Sequence, residues 1–280
     1  MKYFFVSDIH GQYDKLIDAL QENNFNEVVD TLVVLGDSFD RGTKSLEVLK
    51  FILSCRNHII VLGNHDLRLK DLILNKTYPN AADVSNGVLE TLRSFCGDEG
   101  LEDIEPALCR FVYDADLEPV RKMVIQYLNE GVYALEWDNL IATHGWLPTL
   151  STSTTAFNTI GDCVNVVKYE VDPNWRNATK EEWESATWAH SGEMFSNKAF
   201  ADKTLIVGHW HAWRLRRMVE RGCQPFDIGE KINFSTFVYE DKLIAIDGCT
   251  NTTAGLVNVF VYENDAEPDY IIGKPYAALR

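Results

Sequence analysis

Three short apolar runs alternate with segments of helical periodicity in the first 62 residues, and this rhythm restricts the fold more than any other feature. Tyr3–Val6, Leu32–Leu35 and Ile59–Leu62 read as buried strands. Between them Tyr13, Leu16, Ile17 and Leu20 recur at helical spacing, and Leu46, Leu49 and Leu53 do the same. A strand–helix–strand–helix–strand order predicts a parallel sheet, because parallel neighbours need a crossover and a helix supplies it. Ligands of such sheets sit beyond the carboxyl ends of the strands, where Asp8, Asp37 and Asn64 fall.

The rhythm breaks between residues 76 and about 130, a polar stretch with many acids from Asp98 to Glu118. It predicts a helical cap insertion at about 76–135, a candidate lid, within a single domain spanning 1–280. Further on, Leu140–Ala142 introduces His144 and Leu205–Val207 introduces His209. After Arg217 the runs Asn233–Tyr239, Leu243–Ile246 and Val257–Tyr262 read as strands separated by Gly and Asn turns.

The 280 residues suffice for a sizeable core, and 46% hydrophobic content is that of a globular chain. Twenty-six basic against 42 acidic residues give a net charge of −16, which disfavours a broad nucleic-acid surface. An anionic substrate stays compatible with that charge, since bound cations and a few arginines reverse the local field. Six cysteines without a C-x-x-C pair read as reduced thiols. With an expected strand this close to Met1 no signal peptide is expected, and no apolar stretch is long enough to cross a bilayer as a helix. A cytoplasmic protein with no membrane contact and no obligate partner is expected.

Five segments then place metal-ligand side chains directly behind apolar runs. They are Asp8-Ile9-His10, Gly36-Asp37-Ser38-Phe39-Asp40-Arg41-Gly42, Gly63-Asn64-His65-Asp66, Thr143-His144-Gly145 and Gly208-His209-Trp210-His211. Five of the chain's seven histidines lie in them. Taken singly, each is compatible with surface polarity, a core histidine or a turn. Their coincidence at one end of the expected strands points to a two-metal site. Asp8 and His10, two apart at a strand end, are expected to point to one face. A carboxylate behind a buried strand is costly without a partner, and Asp37 is the natural bridge between two cations. Asn64, His144 and His209 would complete one metal, and Asp8, His10 and His211 the other. Such ions, about 3.5–4 Å apart, acidify a water and clamp phosphate oxygens. The mixed oxygen and nitrogen donors favour Mn, with Fe or Zn next, over Mg or Ca.

The string Asp-x-His, Gly-Asp-x-x-Asp-Arg-Gly, Gly-Asn-His-Asp, His-Gly and Gly-His-x-His resembles the calcineurin-like metallophosphoesterases. Asp40-Arg41-Gly42 narrows the likeness to phosphoprotein phosphatases, phage-type phosphatases and symmetrical dinucleoside tetraphosphatases. The likeness runs from Tyr3 to about Tyr262 and includes Ile246-Asp247-Gly248-Cys249. It implies an α/β fold in which a two-sheet β sandwich is flanked by helices (αββα). It also implies that His65 protonates the leaving oxygen, that Asp40 holds its imidazole, and that Arg41 takes phosphate oxygens beside Asn64.

Three positions depart from that pattern. Asp66 stands where the protein phosphatases of the branch usually carry Glu. His211 adds a second histidine that they lack and that the wider superfamily uses as a ligand. His190 stands where bacterial and phage relatives place an arginine that clamps phosphate, so Arg214 or Arg216 is a candidate to supply the charge. Trp146, Trp188, Trp210 and Trp213 cluster around these segments, either as core or as a rim that stacks on a base. The reading that follows is hydrolysis of phosphomonoesters, as by Ser/Thr protein phosphatases, through attack of a metal-bridging hydroxide. The alternative is a hydrolase of dinucleoside polyphosphates or other nucleotides.

Overall fold

The computed structural model describes residues 1–157, 163–189, 203–221 and 231–273. The expected alternation is present: β1 (Lys2–Val6), α1 (Tyr13–Glu22), β2 (Thr31–Leu35), α2 (Ser45–Ser54), β3 (Asn57–Val61) and α3 (Asn64–Ile73). β1, β2 and β3 pair in parallel, with Phe4 opposite Leu32 and Leu32 opposite His58. β11 (Phe260–Glu263) closes the other edge antiparallel to β1, giving the order β11-β1-β2-β3.

A second sheet forms from β4 (Ala134–Glu136), β5 (Leu140–Thr143), β8 (Thr204–Val207), β9 (Phe237–Tyr239), β10 (Leu243–Ala245) and β12 (Tyr270–Ile272). Its order is β12-β4-β5-β8-β10-β9, with β5, β8 and β10 parallel at the centre. β6 (Thr149–Phe157) and β7 (Cys163–Val171) make a separate antiparallel hairpin.

The period-two alternation of each strand decides what packs where. Tyr3, Phe5, Val33 and Leu35 face the second sheet and meet Leu135, Trp137, Ala142, Ile206 and Ile244 in a core between the sheets. Phe4, Val6, Leu32 and Val34 face the other way and are covered by Leu16 and Leu20 of α1, Val48 and Ile52 of α2, and Leu69 of α3. Ile141, Leu205, Val207 and Leu243 point outward from the second sheet against Trp146, Leu215 and Trp183, the last on α8 (Lys180–Ala186). The layers are therefore helix, sheet, sheet, helix, as the resemblance implied.

Residues 76–135 hold α4 (Ala81–Asn86), α5 (Val88–Cys96), α6 (Ile104–Tyr113) and α7 (Glu118–Glu130). Phe95, Phe111, Val124 and Leu128 join the same core as Phe4 and Leu32, so these helices thicken the outer layer of the first sheet. Ser85 and Asn86, at the corner between α4 and α5, are the part of this segment that lines the cleft beyond the carboxyl ends of the parallel strands. α9 (Ala212–Arg221) follows the last histidine segment. Among the described residues no helix is long and apolar enough to cross a membrane.

Candidate metal and phosphate site at the strand ends

Each parallel strand delivers polar side chains just past its carboxyl end. β1 leads to Asp8 and His10, β2 to Asp37, Asp40 and Arg41, and β3 to Asn64 and His65. β5 leads to His144, β8 to His209 and His211, and β10 to Asp247. Most of these line one cleft of about 400 Å³, with Trp188, Trp210, Arg214 and Asn251 on its walls.

The backbone of this region is unusual. Eleven non-glycine residues among those described have positive φ, and six of them are Asp8 (49°), His10 (47°), Asp37 (56°), Asp40 (69°), Arg41 (68°) and His209 (59°). Left-handed backbone costs a side-chain-bearing residue about 1–3 kcal/mol and survives only where its surroundings hold it. Here the exit loops of β1 and β2 are laced together. Asp8 N–H donates to Gly36 C=O at 3.0 Å, His10 N–H to Asp37 C=O at 3.0 Å and Gly11 N–H to Ser38 C=O at 2.9 Å. Asp8 and His10 thus both reach the cleft through these kinks, not through the simple strand alternation that the sequence suggests. A Cβ on Gly36 (φ 78°) would fall 2.5 Å from His144 Nδ1 and 2.6 Å from Gly63 Cα, so only glycine lets the three loops meet.

Asp37 is the hub. Its carboxylate lies 3.9 Å from Nε2 of both His10 and His65, and 3.4 Å from Nε2 of His144. The ligand atoms of His10, Asp37 and His65 all lie within 4.8 Å of one another, and so do those of Asp37, His144 and His209. One carboxylate belongs to both groups, which suits a bridge between two ions.

The histidine tautomers suit the same purpose. His10 Nδ1 faces Phe39 C=O at 2.8 Å and His144 Nδ1 faces Leu35 C=O at 2.7 Å. A carbonyl only accepts, so both Nδ1 atoms carry protons and Nε2 is turned toward Asp37. This backbone tether is how metal-ligating histidines are usually oriented. Asn64 Oδ1 adds an oxygen donor 3.0 Å from His144 Nε2.

The electrostatics point the same way. Burial drives His10 and His209 down to about 3, which leaves their nitrogen lone pairs available. Burial also opposes a charge on His144, but Asp37 and Asp8 more than offset it and lift its pKa to about 10. Asp8 is pushed up to about 8 by burial and then by Asp247 and Asp37. Asp37 stays well below the usual carboxylate range in spite of burial, because His144 and His65 face it. Three buried, mutually repelling carboxylates ringed by imidazoles are a place where divalent cations would offset the repulsion. The donor set fits such ions.

Beside the hub, His65 Nδ1–H donates to Asp40 Oδ2 at 2.7 Å. Burial works against a charged His65, yet Asp37 and Asp40 raise its pKa. Arg41 reaches over the same ground, with one guanidinium nitrogen 2.9 Å from His10 Nε2 and another 3.3 Å from His65 Nε2. Asp66 accepts from Asp37 N–H at 2.9 Å, Ser38 N–H at 3.3 Å and Gly63 N–H at 2.9 Å, tying the second and third loops together.

Some expected residues sit apart from these groups. Asp8 borders the cleft, but its carboxylate accepts from His209 N–H at 2.9 Å and from the Ser7 hydroxyl. His211 belongs to neither three-residue group: its Nδ1 is 2.8 Å from Asp247 and its Nε2 is 3.5 Å from Cys249 Sγ. Arg214 lines the cleft with its guanidinium over the Trp213 ring, whereas Arg216 turns away to the carbonyls of Asn233 and Thr236. His190 lies outside the described residues. Of the tryptophans, Trp146 is core and Trp188, 56% exposed, stands on the rim.

Two residues escaped the sequence reading of roles. Asp247 was visible as another acid directly behind an apolar run. Thr91, which bonds Asp40 from α5, carried no local signal at all.

Comparison with known proteins bears on the same region. The family described as calcineurin-like phosphoesterase matches residues 1–233. A symmetrical bis(5′-nucleosyl)-tetraphosphatase of Buchnera aphidicola subsp. Acyrthosiphon pisum (strain Tuc7) is 44% identical over 70 residues, 25% of this chain and 26% of that protein. Its namesake from Baumannia cicadellinicola subsp. Homalodisca coagulata is 49% identical over 70 residues, 25% and 24% of the two chains. The chain thus matches only about a quarter of the length of these relatives. The cold-active protein-tyrosine phosphatase of a psychrophilic Shewanella species aligns over 94% of this chain and 75% of its own, with 14% identity and a TM-score of 0.44. The match spans all five ligand segments and most of the chain: this protein belongs to the calcineurin-like phosphoesterases.

Proposed function

We propose that the protein is a metal-dependent hydrolase that cleaves dinucleoside polyphosphates. The observation that carries the hydrolytic reading is the convergence of four imidazoles on Asp37, one of them His65 held by Asp40, with Arg41 at the same cleft. The nucleotide reading draws on the names of the curated relatives and on the exposed Trp188 at the rim, a flat face on which a base can stack. It takes precedence over the phosphomonoester reading, which uses the same hub but gives the rim nothing to do.

Asp8, His10 and Asp37 would hold one cation, and Asp37, Asn64, His144 and His209 the other. The donors suit Mn, with Fe or Zn as neighbours in preference. Bound as a pair, the cations would supply Lewis-acid polarisation of the phosphoryl group and acidify a water. The chain's own groups do the rest. Arg41 offers two N–H bonds to phosphoryl oxygens as charge builds on them. His65 keeps its Nδ1 proton on Asp40 and gives its Nε2 proton to the leaving oxygen. Arg214, on the cleft wall, takes a more distant phosphate.

The test is metal analysis of the purified protein, then turnover with added Mn of diadenosine tetraphosphate, a phosphoserine peptide and p-nitrophenyl phosphate. Two metals per chain and release of ADP from the tetraphosphate are expected. Rapid turnover of the peptide with none of the tetraphosphate would return the protein to the monoester reading. A chain that binds no metal and hydrolyses nothing would remove both.

A further inference from the structure

The segment that reads as a lid reaches back into the chemistry. Thr91, on the second turn of α5, is fully buried and exchanges two hydrogen bonds with Asp40. Asp40 N–H donates to Thr91 Oγ1 at 2.7 Å, and the Thr91 hydroxyl donates to Asp40 Oδ1 at 2.9 Å. An amide N–H can only donate, so a lone pair of Oγ1 receives it, and an ionised carboxylate can only accept, so the hydroxyl proton goes to Oδ1. Ser45 Oγ, 3.3 Å from Oγ1, then donates to the remaining lone pair. The other carboxylate oxygen, Oδ2, holds His65 Nδ1–H at 2.7 Å. Thr91, Asp40 and His65 therefore form one directional chain.

The same corner of the insertion also grips the next residue. Arg41 N–H donates to Gly87 C=O at 3.3 Å, and a Cβ on Gly87 (φ 81°) would lie 2.6 Å from Arg41 N. Asp40 and Arg41 both have left-handed backbone, at φ 69° and 68°, so each needs such outside support.

We propose that Thr91 is a positioning residue for proton donation by His65. It fixes the plane of the Asp40 carboxylate, so that Oδ2 meets the imidazole at the one angle that aims Nε2 at the leaving oxygen. Without the hydroxyl, Oδ1 of a carboxylate that is 1% exposed loses its donor, and the carboxylate turns to find another. This role rests on the reading of Asp40 and His65 given above. The insertion then belongs to the catalytic apparatus, whatever it does over the cleft.

Leaving-group dependence separates this from a merely structural role. p-Nitrophenolate leaves without help, whereas phenolate, with a pKa of about 10, needs a proton. Wild type, Thr91→Val, Thr91→Ser and Asp40→Asn are compared on p-nitrophenyl phosphate and phenyl phosphate, with metal content measured for each. The Val variant is expected to lose about tenfold or more in kcat on phenyl phosphate, a fraction of what an acid catalyst contributes. On the nitrophenyl ester it should lose under threefold, with metal content and KM held. Ser should restore most of the loss. Equal losses on both esters in Thr91→Val, with unequal ones in Asp40→Asn, would overturn the role of Thr91 and leave the Asp40–His65 pair standing. Equal losses in both variants would overturn proton donation by the pair, and Thr91's role with it. If Thr91→Val does not fold, Thr91→Ser decides: a phenyl-to-nitrophenyl rate ratio close to that of wild type supports the role, and a ratio that falls as far as in Asp40→Asn on a folded Ser variant, which keeps the hydroxyl, overturns it.

Discussion

Asp66 shows how much one side chain of modest size can organise. Burial and the nearby Asp37 raise its pKa to about 7, yet it serves as acceptor for three backbone N–H groups from two loops. Asp66→Ala should strand those donors and cost about 1–3 kcal/mol or more. Asp37 and Asn64 flank the stranded groups, so metal content should fall too. Urea denaturation and metal analysis of the variant check both, and an unchanged metal content would show that the loops hold without the staple. Trp188 offers a different kind of prediction. Stacking of a base on an aromatic ring is worth about 1–3 kcal/mol. Trp188→Ala should therefore lower kcat/KM for diadenosine tetraphosphate about tenfold relative to inorganic tripolyphosphate. An unchanged ratio would remove Trp188 from substrate binding.

β4 carries a charge cluster at the end of the second sheet remote from the metal donors. The buried Glu136 accepts from Arg176 Nε at 2.7 Å and from Lys203 Nζ at 2.6 Å. Burial alone would raise its pKa, but the two cations outweigh it and the value is lowered. A carboxylate whose folded pKa is depressed adds stability above its unfolded pKa, near 4.3. That stability is lost as pH falls through the folded value. Glu136→Gln should thus cost about 2 kcal/mol at pH 7, and the gap to wild type should close below pH 4. Denaturation midpoints at the two pH values test this. A constant gap would assign the cost to packing instead.

The donors around Asp37 come from both sheets, His10 and His65 from the first and His144 and His209 from the second. Cations bound there would cross-link the halves of the sandwich and neutralise part of the buried acid. Added Mn should raise the melting temperature, and a chelator should lower it and abolish turnover. At a metal concentration 100 times Kd the gain is about 2.7 kcal/mol, roughly 5 °C or more for a chain of this size. A melting temperature indifferent to Mn and to chelator would argue against the metal reading of the whole site.

The sequence alone determined which residue types stand behind which strands, because burial forces a short apolar run to end where polar side chains begin. That made the parallel strands and crossover helices of the first sheet and the Asp, His and Asn set around Asp37 legible, whereas the two-sheet sandwich was implied by the family resemblance. The sequence could not decide how those side chains meet. The left-handed turns at Asp8, His10, Asp37 and His209 depend on hydrogen bonds between loops distant in the chain, and no local pattern announces them. His144 is oriented by Leu35 C=O, 109 residues away, and His211 by Asp247, 36 residues on. Thr91 reaches Asp40 across 51 residues from a helix that reads as an insertion. Orientation of a buried polar group is set by the partner it finds, and that partner is chosen only when the sheets and helices pack.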